Sequence, residues 1–219
     1  LANPVMVLND MTGINNVLNL SKNTGVKRVF YTSSSEVYGE PVEFPQNEYT
    51  TPLNSRLPYA IVKNVGEAYL RSFKREYDLD FTIFRLFNTY GPKQSSDFVI
   101  SKFLIAALKD KDITIYGDGS QTRTFCFIED HLDATMNAFY NNLLVNDVAN
   151  IGSDNEMSML ELAKFIIKQT NSRSAIVHLP ALAEGDMTRR RPDVTKMKDL
   201  LNRDFTSLES GLNLILKNS

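Results

Sequence analysis

The chain has 219 residues, 42% hydrophobic and 23% charged, which suits a globular protein of one large or two small domains with a true core. A formal charge of −2 leaves no global basic field to draw it to nucleic acid, and no apolar run approaches the roughly 20 residues that a membrane helix needs. The single Cys126 excludes an intramolecular disulfide framework and a multi-cysteine zinc site, and the opening LANPVMVLNDM lacks the charged and apolar regions of a signal peptide, so the chain reads as cytoplasmic.

The first predicted element is a helix already under way, with Val7, Leu8, Met11, Ile14, Val17 and Leu18 at helical spacing and Gly25 as its stop. KRVFYTSSS follows as a short strand ending in hydroxyl residues. A loop rich in Pro and Asn runs from Gly39 to Pro58, a helix from Tyr59 to Tyr77, and DFTIFRLF forms a second apolar strand. This order is a β-α-β unit with parallel strands, and side chains at such strand ends commonly form sites. After the loop from Asn88 to Asp97 come a helix, FVISKFLIAALK, the short strand ITIYG, a polar turn DGSQ and the strand RTFCFI. A helix from Asp130 to Asn142, a strand from Asp147 to Ile151, a helix from Ser158 to Gln169 and a strand from Ala175 to His178 follow. A basic loop and helical segments over Val194 to Leu201 and Ser207 to Lys217 close the chain. No internal repeat, low-complexity tract or heptad pattern is present. The pattern is α/β with a smaller C-terminal portion.

Chemistry concentrates between Ser33 and Lys63. Tyr59 and Lys63 are four apart on a predicted helix, so both emerge on one face about a turn apart. A phenol ionises near pH 10, and a nearby ammonium favours the tyrosinate that a base at neutral pH requires. By itself this spacing is also what an ordinary amphipathic helix face produces. It gains weight from Thr32-Ser33-Ser34-Ser35-Glu36, a hydroxyl-rich strand end that one loop places before the helix. A hydroxyl there shares a substrate alcohol's proton with Tyr59, or simply caps the strand.

The ordered series NPVMVLNDMTGINNVL, SSSEVYG, YAIVK, RLFNTYGP, YGDGSQTRTFCFIED, NIGS and RRPDVTKMKDLL covers most of the chain. It resembles the extended short-chain dehydrogenase/reductase family, in the branch of nucleotide-sugar epimerases, dehydratases and decarboxylases. The resemblance implies a partial Rossmann-type, doubly wound parallel sheet with a smaller C-terminal α/β substrate-binding portion. Residues 1–90 would be the C-terminal half of an NAD-binding domain. Residues 91–219 would mainly bind the nucleotide sugar, with some segments returning to the sheet. It further implies Ser34, Tyr59 and Lys63 as the catalytic triad, with Ser33, Tyr59 and Lys63 at the cofactor and Lys63 on its ribose. Asn9 matches a structural helix asparagine of the family, and a homodimer through the flanking helices is implied.

In that family tyrosinate takes the C4 hydroxyl proton while hydride leaves C4 for NAD, and the transient ketone permits reduction from the other face, dehydration or decarboxylation. Family dehydratases carry Asp-Glu where this chain has Ser35-Glu36, and serine is a poor acid for a departing hydroxyl, which disfavours 4,6-dehydration. Ser-Glu, FNTYGP, NIGS and RRPD resemble UDP-glucuronate decarboxylases. The Tyr59-Ala60-Ile61-Val62-Lys63 helix, the Lys93 to Asp97 loop and the short connection from Ser34 to Tyr59 resemble epimerases. The expectation is therefore NAD-dependent 4-epimerisation, with decarboxylation and dehydration as alternatives.

A diphosphate needs donors and positive charge, which arginine's planar fork supplies. By resemblance Arg123 contacts pyrophosphate or ribose, Asn88 a phosphate, and Tyr116 lies near the base. Arg191 stands out of the Arg189-Arg190-Arg191 run only through the Pro192-Asp193 that follows, since three consecutive basic residues are usually a solvated loop. Cys126 reads as packing, and His131 and His178 are isolated, so no metal is expected. The family's glycine-rich cofactor turn is absent, as Gly13 and Gly25 stand alone. Earlier strands are thus expected outside this chain, which alone should bind NAD poorly and be inactive. The reading from another class is a noncatalytic nucleotide-binding module.

Overall fold

The computed structural model describes residues 4–181 and 188–217. It begins with α1 (Pro4–Asn23), β1 (Arg28–Ser34), a single 3-10 turn over Ser35–Tyr38, α2 (Pro58–Tyr77) and β2 (Asp80–Leu86). Next are β3 (Thr89–Tyr90), α3 (Val99–Leu108), β4 (Ile113–Tyr116), β5 (Thr122–Thr124), β6 (Cys126–Phe127) and α4 (Ile128–Tyr140). The chain closes with β7 (Asp147–Ile151), β8 (Glu156–Ser158), α5 (Met159–Thr170), β9 (Ile176–Leu179), α6 (Thr195–Leu201) and α7 (Leu208–Lys217).

β1, β2 and β7 form a parallel sheet in the order β1-β2-β7, with Ser34 level with Leu86 and Leu86 level with Ile151. Side chains alternate across a strand, and both faces here are covered, which is why DFTIFRLF reads as a continuous apolar run. Phe81, Ile83 and Val148 pack with Leu18 of α1 and Leu70 and Phe73 of α2. On the other face Phe84, Ala149 and Ile151 pack with Ala134 and Ala138 of α4 and Met197 and Leu200 of α6. Thus residues from beyond position 90 complete this sheet. Gly66 lets α2 approach β1, because a Cβ there would overlap the Tyr31 ring.

The remaining core gathers α3, α5 and α7 around β4, which pairs with β9 in parallel. α5 opens with a reciprocal capping box between Ser158 and Glu161, satisfying two donors that a helix start leaves over. One strand expectation changes. RTFCFI is not continuous: β5 pairs antiparallel with β8 and β6 pairs parallel with β3, so the chain changes partner at Phe125. Asn88 makes that switch, its carbonyl accepting from the Cys126 amide at 2.8 Å and its side chain donating to the Thr124 carbonyl at 3.2 Å. β3 and β8, of two and three residues, are too short to leave a periodic signal.

Candidate active site

Ser34 ends β1 and caps the 3-10 turn, its Oγ accepting from the Glu36 amide at 3.2 Å. α2 starts at Pro58, whose fixed φ and missing N–H suit a first helical position. Tyr59 therefore sits in the first turn, close to the end of β1. The Ser34 side chain lies close enough to act on the Tyr59 phenol. Burial pushes the phenol above its ordinary pKa, Ser34 opposes that shift, and Glu36 and Asp10 add to it. Lys63 lies one turn on, its Nζ over the Tyr59 ring at 5.7 Å from the centroid and donating to the Thr32 carbonyl at 2.9 Å. Burial lowers its pKa, against the pull of Asp10. At neutral pH Tyr59 is a neutral phenol in this arrangement.

Two hollows meet at Tyr59, and a third adjoins the second at Asn88. One of about 300 Å³ is lined by Asn9, Asp10, Gly13, Tyr31, Tyr59 and Lys63. A chamber of about 790 Å³ is bounded by Ser34, Ser35, Glu36, Tyr59, Asn88 and Arg190, among others. A third, of about 350 Å³, contains Asn88, Lys102, Tyr116, Gln121 and Arg123. Tyr59 lines both the first and the second; Asn88 lines both the second and the third. Arg123 is 7% exposed on β5, and its Nη1 donates to the Thr122 carbonyl at 2.7 Å.

Two expected residues take other places. Ser33 faces α2, where it is 2% exposed and its hydroxyl donates to Glu67 Oε1 at 2.7 Å. Arg191 is held by its backbone, its amide donating to Gln46 Oε1 at 3.1 Å and its carbonyl accepting from the Gln46 amide at 2.7 Å. In this extended segment neighbours point to opposite sides, so Arg190 enters the chamber and pairs with Glu36 at 2.6 Å. Glu36 Oε2 is buried without a hydrogen-bond partner. Three identical residues in a row gave no means of singling out Arg190.

Cys126 is buried and its thiol is pushed up to about 12 by burial first and Asp130 second. His178 Nδ1 lies 2.8 Å from the Gly117 carbonyl and His131 Nδ1 lies 3.4 Å from Thr89 Oγ1. Among the described residues no group of three or more His, Cys, Asp or Glu is placed to hold a metal ion, and no helix is long and apolar enough to cross a membrane.

The model of the NAD dependent epimerase/dehydratase family matches residues 2–152. The chain belongs to this family. UDP-glucuronic acid decarboxylase 2 of Arabidopsis thaliana is 36% identical over 98% of the chain and 49% of its own length. The chain thus spans about half the length of that relative. The UDP-glucose 4-epimerase of Thermotoga maritima superposes with a TM-score of 0.91 at 31% identity, covering 98% of this chain and 71% of the other. A UDP-glucuronic acid 4-epimerase from Bacillus cereus, solved with UDP-glucuronic acid and NAD, gives a TM-score of 0.85 at 26% identity over 96% of this chain and 68% of the other. The family's α/β, Rossmann-type arrangement is therefore present in part, and the family is NAD-dependent. The hollow around Lys63 suits part of such a cofactor, since an ammonium, a phenol and the Asn9 amide line its wall beside Gly13, where even a Cβ would meet nothing.

Proposed function

We propose that the complete protein oxidises a UDP-linked sugar transiently at C4, with 4-epimerisation as the net reaction. The observation that carries this reading is the arrangement of the three hollows, in which Tyr59 separates the Lys63 hollow from the chamber and Asn88 joins the chamber to the Arg123 cavity. Cofactor, sugar and nucleotide are assigned to them in that order. Tyr59, as tyrosinate, takes the C4 hydroxyl proton, and Ser34 shares its hydrogen bond. Lys63 supplies positive charge next to Tyr59 and hydrogen bonds to the ribose of the cofactor. NAD, when bound, supplies the hydride acceptor. Arg123 and Asn88 take the diphosphate, and Tyr116 lies at the base. Arg190 and the Glu36 carboxylate face the sugar, Glu36 Oε2 being the acceptor that a sugar hydroxyl would satisfy. The complete protein is read as a homodimer, a reading carried by the family resemblance, and as cytoplasmic, a reading carried by its cysteine usage.

A second reaction has a specific observation in its favour. The relatives similar over nearly the whole chain include UDP-glucuronic acid decarboxylases, and Arg190 places a cation in the chamber where a sugar carboxylate would sit. Full-length protein with NAD is incubated with UDP-glucose and with UDP-glucuronate. Products inverted at C4 support epimerisation. Carbon dioxide release from UDP-glucuronate moves the assignment to decarboxylation, and no turnover of either sugar nucleotide sinks both.

A further inference from the structure

Behind the chamber lies a buried polar cluster to which the roles above assign nothing. Arg85 of β2 and Glu67 of α2 are each 2% exposed and meet through two bonds, Nε to Oε1 at 2.9 Å and Nη2 to Oε2 at 2.7 Å. The third nitrogen of the fork, Nη1, donates to Tyr38 Oη at 2.9 Å and to the Glu48 carbonyl at 3.0 Å. Tyr38 donates onward to Asn150 Oδ1 at 2.7 Å, and Asn150 Nδ2 donates to the Gln46 carbonyl at 2.8 Å. Gln46 pairs through its backbone with Arg191 and Asp193, on either side of Pro192. Ser33 donates to Glu67 from the other end.

Taking two charges out of water is costly, and a well-packed apolar pair of similar volume would join helix and strand at least as well. What an apolar pair lacks is direction. Here four members of the cluster adjoin segments that carry site residues. Ser33 adjoins Ser34; Glu67 is four residues beyond Lys63, on the same face of α2; Tyr38 closes the turn that holds Glu36; and Gln46 pairs with Arg191, next to the Arg190 that enters the chamber, in a segment that Thr122 of β5 holds from the other end. Arg85 and Tyr38 each keep one charge state. Burial works against the Arg85 charge, but Glu67 and Tyr38 outweigh it and hold the guanidinium's pKa above its ordinary value. Burial pushes the Tyr38 phenol up to about 12 against the pull of Arg85.

We propose that Glu67 and Arg85 are positioning residues for proton transfer at Tyr59, holding Ser34, Tyr59, Lys63 and the Glu36–Arg190 pair in one frame without touching substrate or cofactor. The inference rests on the reading of Tyr59 as the base. The groups facing its phenol are Ser34 and Glu36 from the end of β1 and the turn after it, Tyr31 from β1, Asp10 from α1 and Lys63 from α2 itself.

The test uses the full-length, NAD-loaded protein carrying Glu67→Leu with Arg85→Met, which removes both charges and keeps bulk. Thermal unfolding reports folding. Turnover is expected to fall about 30- to 100-fold, the scale of a misplacement near 1 Å. The KM for the sugar nucleotide should stay within about threefold, as expected when ground-state binding is spared. The ascending limb of kcat against pH should move to higher pH, because a loosened Ser34 no longer opposes the burial, Glu36 and Asp10 that raise Tyr59. A merely structural role would lower only the folded fraction and leave both KM and the limb in place. Arg85→Lys, which keeps the cation but not the fork, should fall between wild type and the double variant. A folded double variant with wild-type kcat and limb overturns the inference. If it does not fold, the same readouts on Arg85→Lys decide, and unchanged values there overturn it equally. Tyr59→Phe runs in parallel. Turnover surviving in that variant would sink the reading of Tyr59 itself, whereas a dead Tyr59→Phe beside a fully active double variant would sink the positioning role alone.

Discussion

Around Tyr59 the site residues are placed by hydrogen bonds and a buried ion pair running through Ser33, Glu67, Arg85, Tyr38 and Asn150. Around Arg123 and Tyr116 the scaffold is an apolar core in which Ile113, Ile115, Leu162, Ile166 and Leu212 are almost wholly buried. Hydrogen bonds weaken steeply with distance and angle, while apolar burial is non-directional and roughly proportional to area. The proposed proton transfer sits in the directional region, and the proposed nucleotide contacts sit on the apolar one. The division matches what each must do. A proton moves between atoms at hydrogen-bond distance, whereas a nucleotide requires a surface of the right shape with a few convergent polar groups.

The largest expected effect lies at the centre of the directional region. Tyr59→Phe removes one oxygen and should lower turnover about 10³-fold, within the range of general base catalysis, while calorimetry shows sugar-nucleotide binding retained. Turnover within tenfold of wild type would break the assignment. Wild-type turnover should rise with pH, because the active form is the phenolate and burial holds the phenol above its ordinary pKa. Lys63→Met takes away a cation 5.7 Å from the ring centroid and should move that limb to still higher pH. A limb that stays in place would mean that Lys63 does not act on Tyr59.

On the apolar side the expected loss is in stability. Leu162 is fully buried against α3 and β4, so Leu162→Ala should cost about 2–5 kcal/mol in urea unfolding through lost burial and the cavity left behind. Turnover per folded molecule, and the pH limb, should not move. If they do, the two regions are mechanically one, and the contrast between them fails.

The periodic elements were legible because burial writes period into sequence: α2, α3, α5 and the strands β1, β2 and β7 are recognisable from apolar spacing alone. Tyr59 and Lys63 were legible because one turn of a helix is a local distance. The Glu67–Arg85 pair is not local, spanning helix and strand across 18 residues. Its one available signal was an arginine inside a largely apolar strand covered on both faces, since a charge buried there requires a partner. Arg190 was beyond reach for a different reason. The side to which each residue of an extended segment points depends on register, and register here is set by long-range pairing with Thr122 of β5 and with Gln46, the latter in a loop without periodic pattern.

The smallest expected effect tests where the regions meet. Arg123 lies on β5 opposite Met157, backed by Phe125 and Met159 of the apolar region, with Tyr116 and Gln121 beside it on the cavity wall. A hydrogen bond to a charged group contributes about 1.5–3 kcal/mol, so Arg123→Ala should weaken sugar-nucleotide binding about 10- to 100-fold. Saturating substrate should restore most of kcat, since the lost contact is made equally in ground and transition states. Titration with UDP alone separates the partners of the guanidinium. An equal loss for UDP and UDP-sugar places it on the diphosphate or ribose; a loss confined to UDP-sugar places it on the sugar. A fall in kcat at saturation would show that a residue on the apolar scaffold also orients the reacting sugar, and the boundary would then have to be redrawn at Asn88, whose side chain bonds β5 and lines both cavities.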